Sequence, residues 1–174
     1  MRKLIHQRRL VILITSTMML DWDVPDTGHL TADAITINNR WEAIDILQKL
    51  CQQSDAWLWR VYKTPGGVRA FCMSHSWDIQ NTIQAAVAKA IMTTLKCDPC
   101  YVDFTFRKAE GWNVRVSKKP GRPGDYIAQH LFDIGEGKAL KENIVNIELH
   151  DALIRNYLLV KERVVPKPIL KAKC

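Results

Sequence analysis

Two aspartates separated by one tryptophan, Asp21-Trp22-Asp23, follow a long aliphatic run in this sequence. On a strand, side chains two residues apart share a face, so both carboxylates would point the same way. A third, Asp103, lies in Tyr101-Val102-Asp103-Phe104-Thr105-Phe106, where Val102, Phe104 and Phe106 alternate with more polar neighbours. That alternation predicts a strand carrying Asp103 on the face opposite the apolar trio. Three carboxylates on adjacent strands would form a hard-oxygen site suited to Mg²⁺ or Mn²⁺. Two such ions can clamp the attacking and leaving oxygens of a phosphoryl transfer. Taken singly, each aspartate also reads as an ordinary turn or strand residue. The metal reading therefore rests on all three converging.

A second constellation surrounds Lys63-Thr64-Pro65-Gly66-Gly67-Val68-Arg69-Ala70-Phe71. Gly66 and Gly67 would let the backbone approach a phosphate closely, with Lys63 and Arg69 supplying charge on either side. Arg69 and Phe71 share one strand face, where a guanidinium can hold phosphate and a ring can stack on a base. The same segment reads equally as a tight hairpin with incidental basic residues. Further on, Arg107, Lys108, Arg115, Lys118, Lys119 and Arg122 place six cations within sixteen residues, with Trp112 among them and only Glu110 opposing. Cations with an interleaved aromatic suit a surface that follows a nucleic-acid backbone, although a solvated charged hairpin fits the pattern too. The segment from Lys119 to Gly124 resembles the Gly-Arg-Pro core of minor-groove AT-hooks over three residues.

The elements that must position these groups follow from periodicity. Residues 10–24 are aliphatic and β-branched and read as one long, buried, central strand, ended by Pro25 and Gly28. Asn38 or Asn39 can cap a helix to about residue 52, with Trp41, Ile44, Leu47, Leu50 and Cys51 as its apolar stripe. Residues 56–63 and 68–73 form a hairpin around the Pro-Gly-Gly turn. A second helix covers 79–96, with Ile79, Ile83, Val87, Ala90 or Ile91, and Leu95 on one side, until Asp98-Pro99 breaks it. Strands follow at 101–107 and 112–117. The order strand-helix-strand-strand-helix-strand predicts an α+β, RRM/ferredoxin-like split βαβ core with the first strand between the third and fourth, a β-hairpin extension and a C-terminal helix. One domain accounts for all 174 residues. Its core spans about 10–117, with a basic loop at 118–124, an extension over 125–165 and a frayed tail at 166–174. The extension would hold a strand at 144–149 and a helix from about 150 to 162.

Composition narrows the classes. With 47% hydrophobic residues the chain can bury a core, which excludes a disordered segment. Most of the six tryptophans should lie inside it. A net charge of +7 favours a polyanionic partner, nucleic acid before membrane, although solubility alone also accounts for it. The cysteines number five, an odd count without a disulfide framework, and Cys97-Asp98-Pro99-Cys100 lacks partners for zinc. Basic residues before the apolar run mimic a secretory signal. No cleavage site follows, however, and the run is too short to cross a bilayer, so the cytoplasm is the expected location.

Asp21-Trp22-Asp23, the helix after it, the Thr-Pro-Gly-Gly hairpin and Asp103 together resemble the archaeo-eukaryotic primase and primase-polymerase superfamily over about residues 10–106. The resemblance implies an RRM-like catalytic core, Asp21, Asp23 and Asp103 as ligands to Mg²⁺ or Mn²⁺, and nucleotidyl transfer from nucleoside triphosphates. Lys63, Gly66, Gly67 and Arg69, with His75 further along the chain, are the residues expected around the nucleotide. That family carries a histidine in the strand after the glycine turn, where this chain has Arg69; His75 lies further on. The hairpin and the segment from Val114 to Pro120 are also similar to uncharacterised bacterial proteins, which implies no activity. Asp21-Trp22-Asp23 resembles aspartate-based phosphatases as well, but Pro25 stands where they carry Thr or Val. The leading expectation is thus a nucleic-acid-associated, metal-dependent nucleotidyltransferase. Its rivals are a non-catalytic single-stranded nucleic-acid-binding module, using the open sheet face, Phe71 and Trp112, and a small interaction protein of a mobile element or phage.

If the basic loop holds a phosphate backbone, replacing Lys118, Lys119 and Arg122 together with alanine should weaken single-stranded nucleic-acid binding. It should also flatten the dependence of affinity on salt, because fewer counterions are released. Fluorescence anisotropy across a salt series checks this; an unchanged slope excludes the loop as the contact.

Overall fold

A computed structural model describes residues 11–24, 37–108, 110–117 and 127–164. The chain is α+β, with four helices and two antiparallel sheets among these residues. The expected long first strand is two strands, β1 (Val11–Ile14) and β2 (Met19–Asp23). Hydroxyl residues interrupt it, and their bonds leave the ladder. The Thr17 hydroxyl donates to Asn143 at 2.7 Å, while Asn146 donates to both Ser16 and Thr17. β1 pairs with a later strand, β5 (Trp112–Arg115), and forms a two-stranded sheet. β2 instead joins the hairpin β3 (Leu58–Lys63) and β4 (Gly67–Cys72). A strand absent from the sequence reading, β6 (Gln129–Gly135), completes a four-stranded sheet of order β2-β4-β3-β6. Within that sheet β2 lies at one end rather than in the centre, which corrects the expectation.

Helix α1 (Arg40–Gln53) starts where expected, with the Asn39 side chain accepting from the Trp41 and Glu42 amides. Its buried residues are Ala43, Ile44 and Leu47, whereas Trp41 is 74% exposed and lies off the stripe. Helix α2 (Thr82–Thr94) is capped by Asn81. It buries Ala88 and Met92, not Ile83 and Val87, so its inner face is rotated from the predicted one. The helix ends in a Schellman motif with Lys96 in the left-handed region (φ 57°). Cys97 N–H donates to Met92 C=O, and Lys96 N–H to Thr93 C=O.

Residues 101–107 lie in helix α3 (Pro99–Lys108), which is the main correction to the sequence reading. Asp98 caps the start of this helix, since its carboxylate accepts from the Cys100 amide at 2.9 Å. Pro99 follows at the first helical position, where its missing N–H costs nothing. Buried Val102 and Thr105 then recur at helical spacing. Helix α4 (Lys141–Val164) replaces the expected strand at 144–149 and the shorter helix after it.

Side-chain alternation sorts the sheet's two faces. On one, Trp22 donates its indole N–H to the Leu95 carbonyl at the end of α2. Lys96, just beyond, pairs with Glu42 of α1, so α1 and α2 cover this side. On the other, Tyr62 and Phe71 meet His150 of α4, with ring centroids 5.2 and 4.9 Å apart. Asn143, Ile147, His150 and Ile154 form the buried stripe of α4, spaced four, three and four residues apart. The face expected to be open is therefore covered. Trp22, Trp59 and Trp112 are wholly buried, each contributing about 4–6 kcal/mol of apolar burial. Trp77 is also inside, and Trp57 is half-buried.

Gly67 is dictated by strand packing. A Cβ there would sit 1.9 Å from the Trp22 carbonyl oxygen and 2.9 Å from its carbon, both backbone atoms. Gly67→Ala is expected to separate β2 from β4 and to destabilise the fold by about 3 kcal/mol or more, as read from urea unfolding. A loss below about 1 kcal/mol would mean that the β2–β4 contact yields easily.

Candidate functional site

The α2–α3 corner seals the outer side of β2. Asp21 N–H donates to the Cys97 sulfur at 3.2 Å, and Asp21 C=O accepts from the Cys97 thiol at 3.2 Å and from Asp98 N–H at 2.9 Å. Because these backbone groups face outward, Asp21 and Arg69, opposite each other in the ladder, form a non-hydrogen-bonded pair. Side chains in such pairs stand close together. Arg69 Nε lies 3.5 Å from Asp21 Oδ1. Asp23 follows on the same face.

These side chains line a cleft of about 590 Å³ between the β3–β4 turn, α3 and β5. Asp21, Asp23 and Asp98 stand with Arg69 and Arg115; Thr64, Pro65 and Gly66 form one wall, and Tyr101, Phe104 and Asn113 another. The turn is closed by Gly67 N–H donating to the Thr64 hydroxyl at 3.0 Å, and Val24 N–H donates to Gly66 C=O at 2.9 Å. Arg69 is only 7% exposed. Its Nη1 donates to Arg115 C=O at 3.0 Å and lies 3.4 Å from His150 Nε2. His150 Nδ1 lies 2.8 Å from Asp151, whose carboxylate also accepts from the Tyr62 hydroxyl at 2.9 Å.

The electrostatics follow from burial. Asp21 is pushed up from 3.8 to about 6, by burial first, with Arg69 opposing the shift and Asp23 and Asp98 adding to it. Burial raises the Cys97 thiol and excludes it as a nucleophile at neutral pH. Burial lowers His150, a tendency that Asp151 opposes and Arg69 reinforces. Burial would raise Asp151, but the bonds from His150 and Tyr62 outweigh it and hold its carboxyl low.

The expected site residues divide. Asp21, Asp23, Gly66, Arg69 and Arg115 meet at the cleft. Asp103 does not: it lines a separate hollow of about 480 Å³ with Lys89 and Lys96, and pairs with Arg107 one helical turn on. Lys63 ends β3, and Gly67 lies buried beneath β2. His75 packs on Trp57 with ring centroids 4.3 Å apart and bonds Ser74, away from the cleft. Phe71 and Trp112 are fully buried, so neither is available to stack on a base. Lys108 ends α3. Lys118, Lys119 and Arg122 lie outside the described residues. Sequence reasoning missed Asp98, taken only as a helix breaker, and the trio His150, Asp151 and Tyr62. No local motif marks the trio, because the fold brings its members together across 89 positions.

Among the described residues no group of three or more His, Cys, Asp or Glu side chains is arranged to hold a metal ion. The donor set at the cleft still suits a weakly held Mg²⁺ or Mn²⁺, which can use one or two carboxylates and take its other ligands from water and a bound phosphate. No helix among the described residues is long and apolar enough to cross a membrane.

A carboxyl with a raised pKa binds its proton more tightly in the folded state than in the unfolded one. Its contribution to stability is complete below pH 3.8 and is lost as pH rises through about 6. Asp21→Asn, which keeps an oxygen for Arg69, is expected to stabilise the protein at pH 7.5 by about 1–2 kcal/mol, allowing for partial exposure to the cleft. At pH 4 the effect should shrink. Urea titrations at both pH values check this, and destabilisation at pH 7.5 would show that the Arg69 pair outweighs burial.

Comparison with protein-family models, with curated proteins and with solved structures found no match to this chain, so the reading of the cleft stands on its own geometry.

Proposed function

We propose that the cleft binds a phosphorylated ligand with a divalent cation, and that the chain is a nucleic-acid-associated nucleotidyl-transfer domain of primase-polymerase type. The observation carrying this reading is that Asp21 and Asp23 share the cleft with Arg69, Arg115 and the Thr64–Gly66 turn. Carboxylates and guanidiniums lining one water-accessible hollow are the complement of a metal-bound phosphate. The strand pairing supports the RRM-like, split βαβ core. The two halves of the first strand pair with different neighbours: β1 lies beside β5, the strand after the second and third helices, and the acidic β2 lies beside the glycine-turn strand β4.

In this reading Asp21 and Asp23 hold Mg²⁺ or Mn²⁺, which would supply charge neutralisation to the transferring phosphoryl group. Arg69 and Arg115 hold phosphate oxygens. The basic residues 118, 119 and 122 hold template backbone. Asp98 takes the neighbouring acidic place that the sequence assigned to Asp103, raising the negative potential at Asp21. The non-catalytic alternative loses its base-stacking surface, because α4 covers the sheet and Phe71 and Trp112 are inside the core.

Thermal melts with Mn²⁺, with nucleoside triphosphate and with both test the proposal. Together, at a hundred times Kd, they should stabilise the wild type by about 2.7 kcal/mol, or about 5–10 °C in Tm. The double variant Asp21→Asn, Asp23→Asn should lose that response. A flat wild-type response to the pair overturns the reading. Binding without extension of a labelled primer would leave a nucleotide-binding module and overturn the transfer step.

A further inference from the structure

Arg69 occupies a position that costs free energy unless its donors are engaged, and one of the groups that engages them lies behind the cleft on α4. His150 is fully buried. Its Nδ1 faces the Asp151 carboxylate at 2.8 Å, and a carboxylate only accepts, so Nδ1 carries the proton. The neutral ring then presents a lone pair from Nε2 toward Arg69 Nη1 at 3.4 Å. The Tyr62 hydroxyl, at 2.9 and 3.1 Å from the two carboxylate oxygens, fixes Asp151 in turn. Tyr62 also sits directly across the ladder from Arg69. The four residues thus close a loop between two strands and one helix.

We infer that His150, backed by Asp151 and Tyr62, is a positioning residue that holds the Arg69 guanidinium in one orientation, so that Nη2 is the nitrogen offered to an oxyanion bound in the cleft. The donor inventory supports this directly. Nη1 is engaged by Arg115 C=O and His150, while Nε is buried without a hydrogen bond and lies 3.5 Å from the Asp21 carboxylate as an ion pair. Nη2 has no acceptor among the described residues. A guanidinium left to rotate would exchange these roles, whereas one anchored at Nη1 binds with less ordering cost. Burial, by disfavouring the imidazolium, keeps the ring in the neutral form that can accept.

The ligand chemistry rests on the proposed phosphate-binding reading, while the anchoring does not, and the experiment separates them. In the uniformly ¹⁵N-labelled full chain at pH 8, long-range ¹H–¹⁵N spectra should show His150 as the neutral Nδ1–H tautomer. An Nε2–H tautomer or an imidazolium overturns the anchoring, whatever the cleft binds. Calorimetry with inorganic tripolyphosphate, without metal, then tests the consequence. His150→Leu removes the acceptor and should weaken binding about tenfold, whereas His150→Gln supplies an oxygen and should restore most of it. Tyr62→Phe, which loosens Asp151 without touching Arg69, should fall between them and serves if His150→Leu does not fold. Folded His150→Leu or Tyr62→Phe protein binding like the wild type overturns the positioning role. A wild type that ignores tripolyphosphate but shows the Nδ1–H tautomer refutes oxyanion binding by Arg69 and leaves only the anchor, whereas the proposed function falls only if the Mn²⁺ and triphosphate melts are flat as well.

Discussion

A guanidinium cannot give up its charge, so one placed in a protein interior must find acceptors there or the fold does not form. Arg69 is such a group, and its two hydrogen-bond acceptors and one ion-pair partner come from three directions. The Asp21 carboxylate stands opposite on β2, the Arg115 carbonyl comes from β5, and His150 reaches across from α4. Each belongs to a different part of the chain. Satisfying Arg69 therefore fixes the two sheets relative to each other and seats the last helix. Losing the acceptor from β5 or from α4 leaves a buried donor unsatisfied, a larger penalty than losing a surface ion pair.

The two sides of the four-stranded sheet are stabilised by different means. Around Trp22 the contacts are mainly apolar, joined by the indole hydrogen bond to the end of α2 and, at the start of α1, by Arg40 donating to the Gly67 and Thr64 carbonyls. Under α4 they are directional. Asn143 donates to the carbonyls of Met73 and His75 and accepts from Thr17, while Asn146 holds Ser16 and Thr17. Apolar packing tolerates rotation of a helix about its axis; a set of amide and imidazole bonds does not. The polar helix thus determines one seating, and the interruption between β1 and β2 is the sequence's contribution to it.

What was legible in the sequence was local. Asn39 announced the start of α1, and Pro65-Gly66-Gly67 announced the hairpin, because caps and turns depend on a few neighbouring residues. Asp21 and Asp23 were placed on one face by the geometry of a strand. The reading of residues 101–107 failed because alternation of Val102, Phe104 and Phe106 matches a strand, while Asp98 and Pro99 begin a helix from the position taken only as a break. The first strand was read as unbroken because a short Thr-Ser-Thr run does not forbid β structure. Its hydroxyls leave the ladder only when Asn143 and Asn146 arrive from more than a hundred residues away. Phe71 was set on an open face because nothing in the local pattern near residue 150 signals a covering helix. His150 was one of several unremarkable histidines.

The corner at Cys97 and Asp98 has a mechanical consequence. One side of β2 is held by a carbonyl ladder, but on the other the Asp21 amide donates to a sulfur, a weaker acceptor than oxygen. The seam between the acidic strand and the helix corner then rests on one amide–carbonyl bond, from Asp98 to Asp21, and two weaker bonds through the Cys97 sulfur. Local fluctuations that spare the core would start there, peeling Asp98 and the first turn of α3 away while the hairpin stays in register. The cleft would thereby have one compliant wall facing a rigid one, letting it admit ligands wider than its resting shape without disturbing the buried guanidinium at its floor.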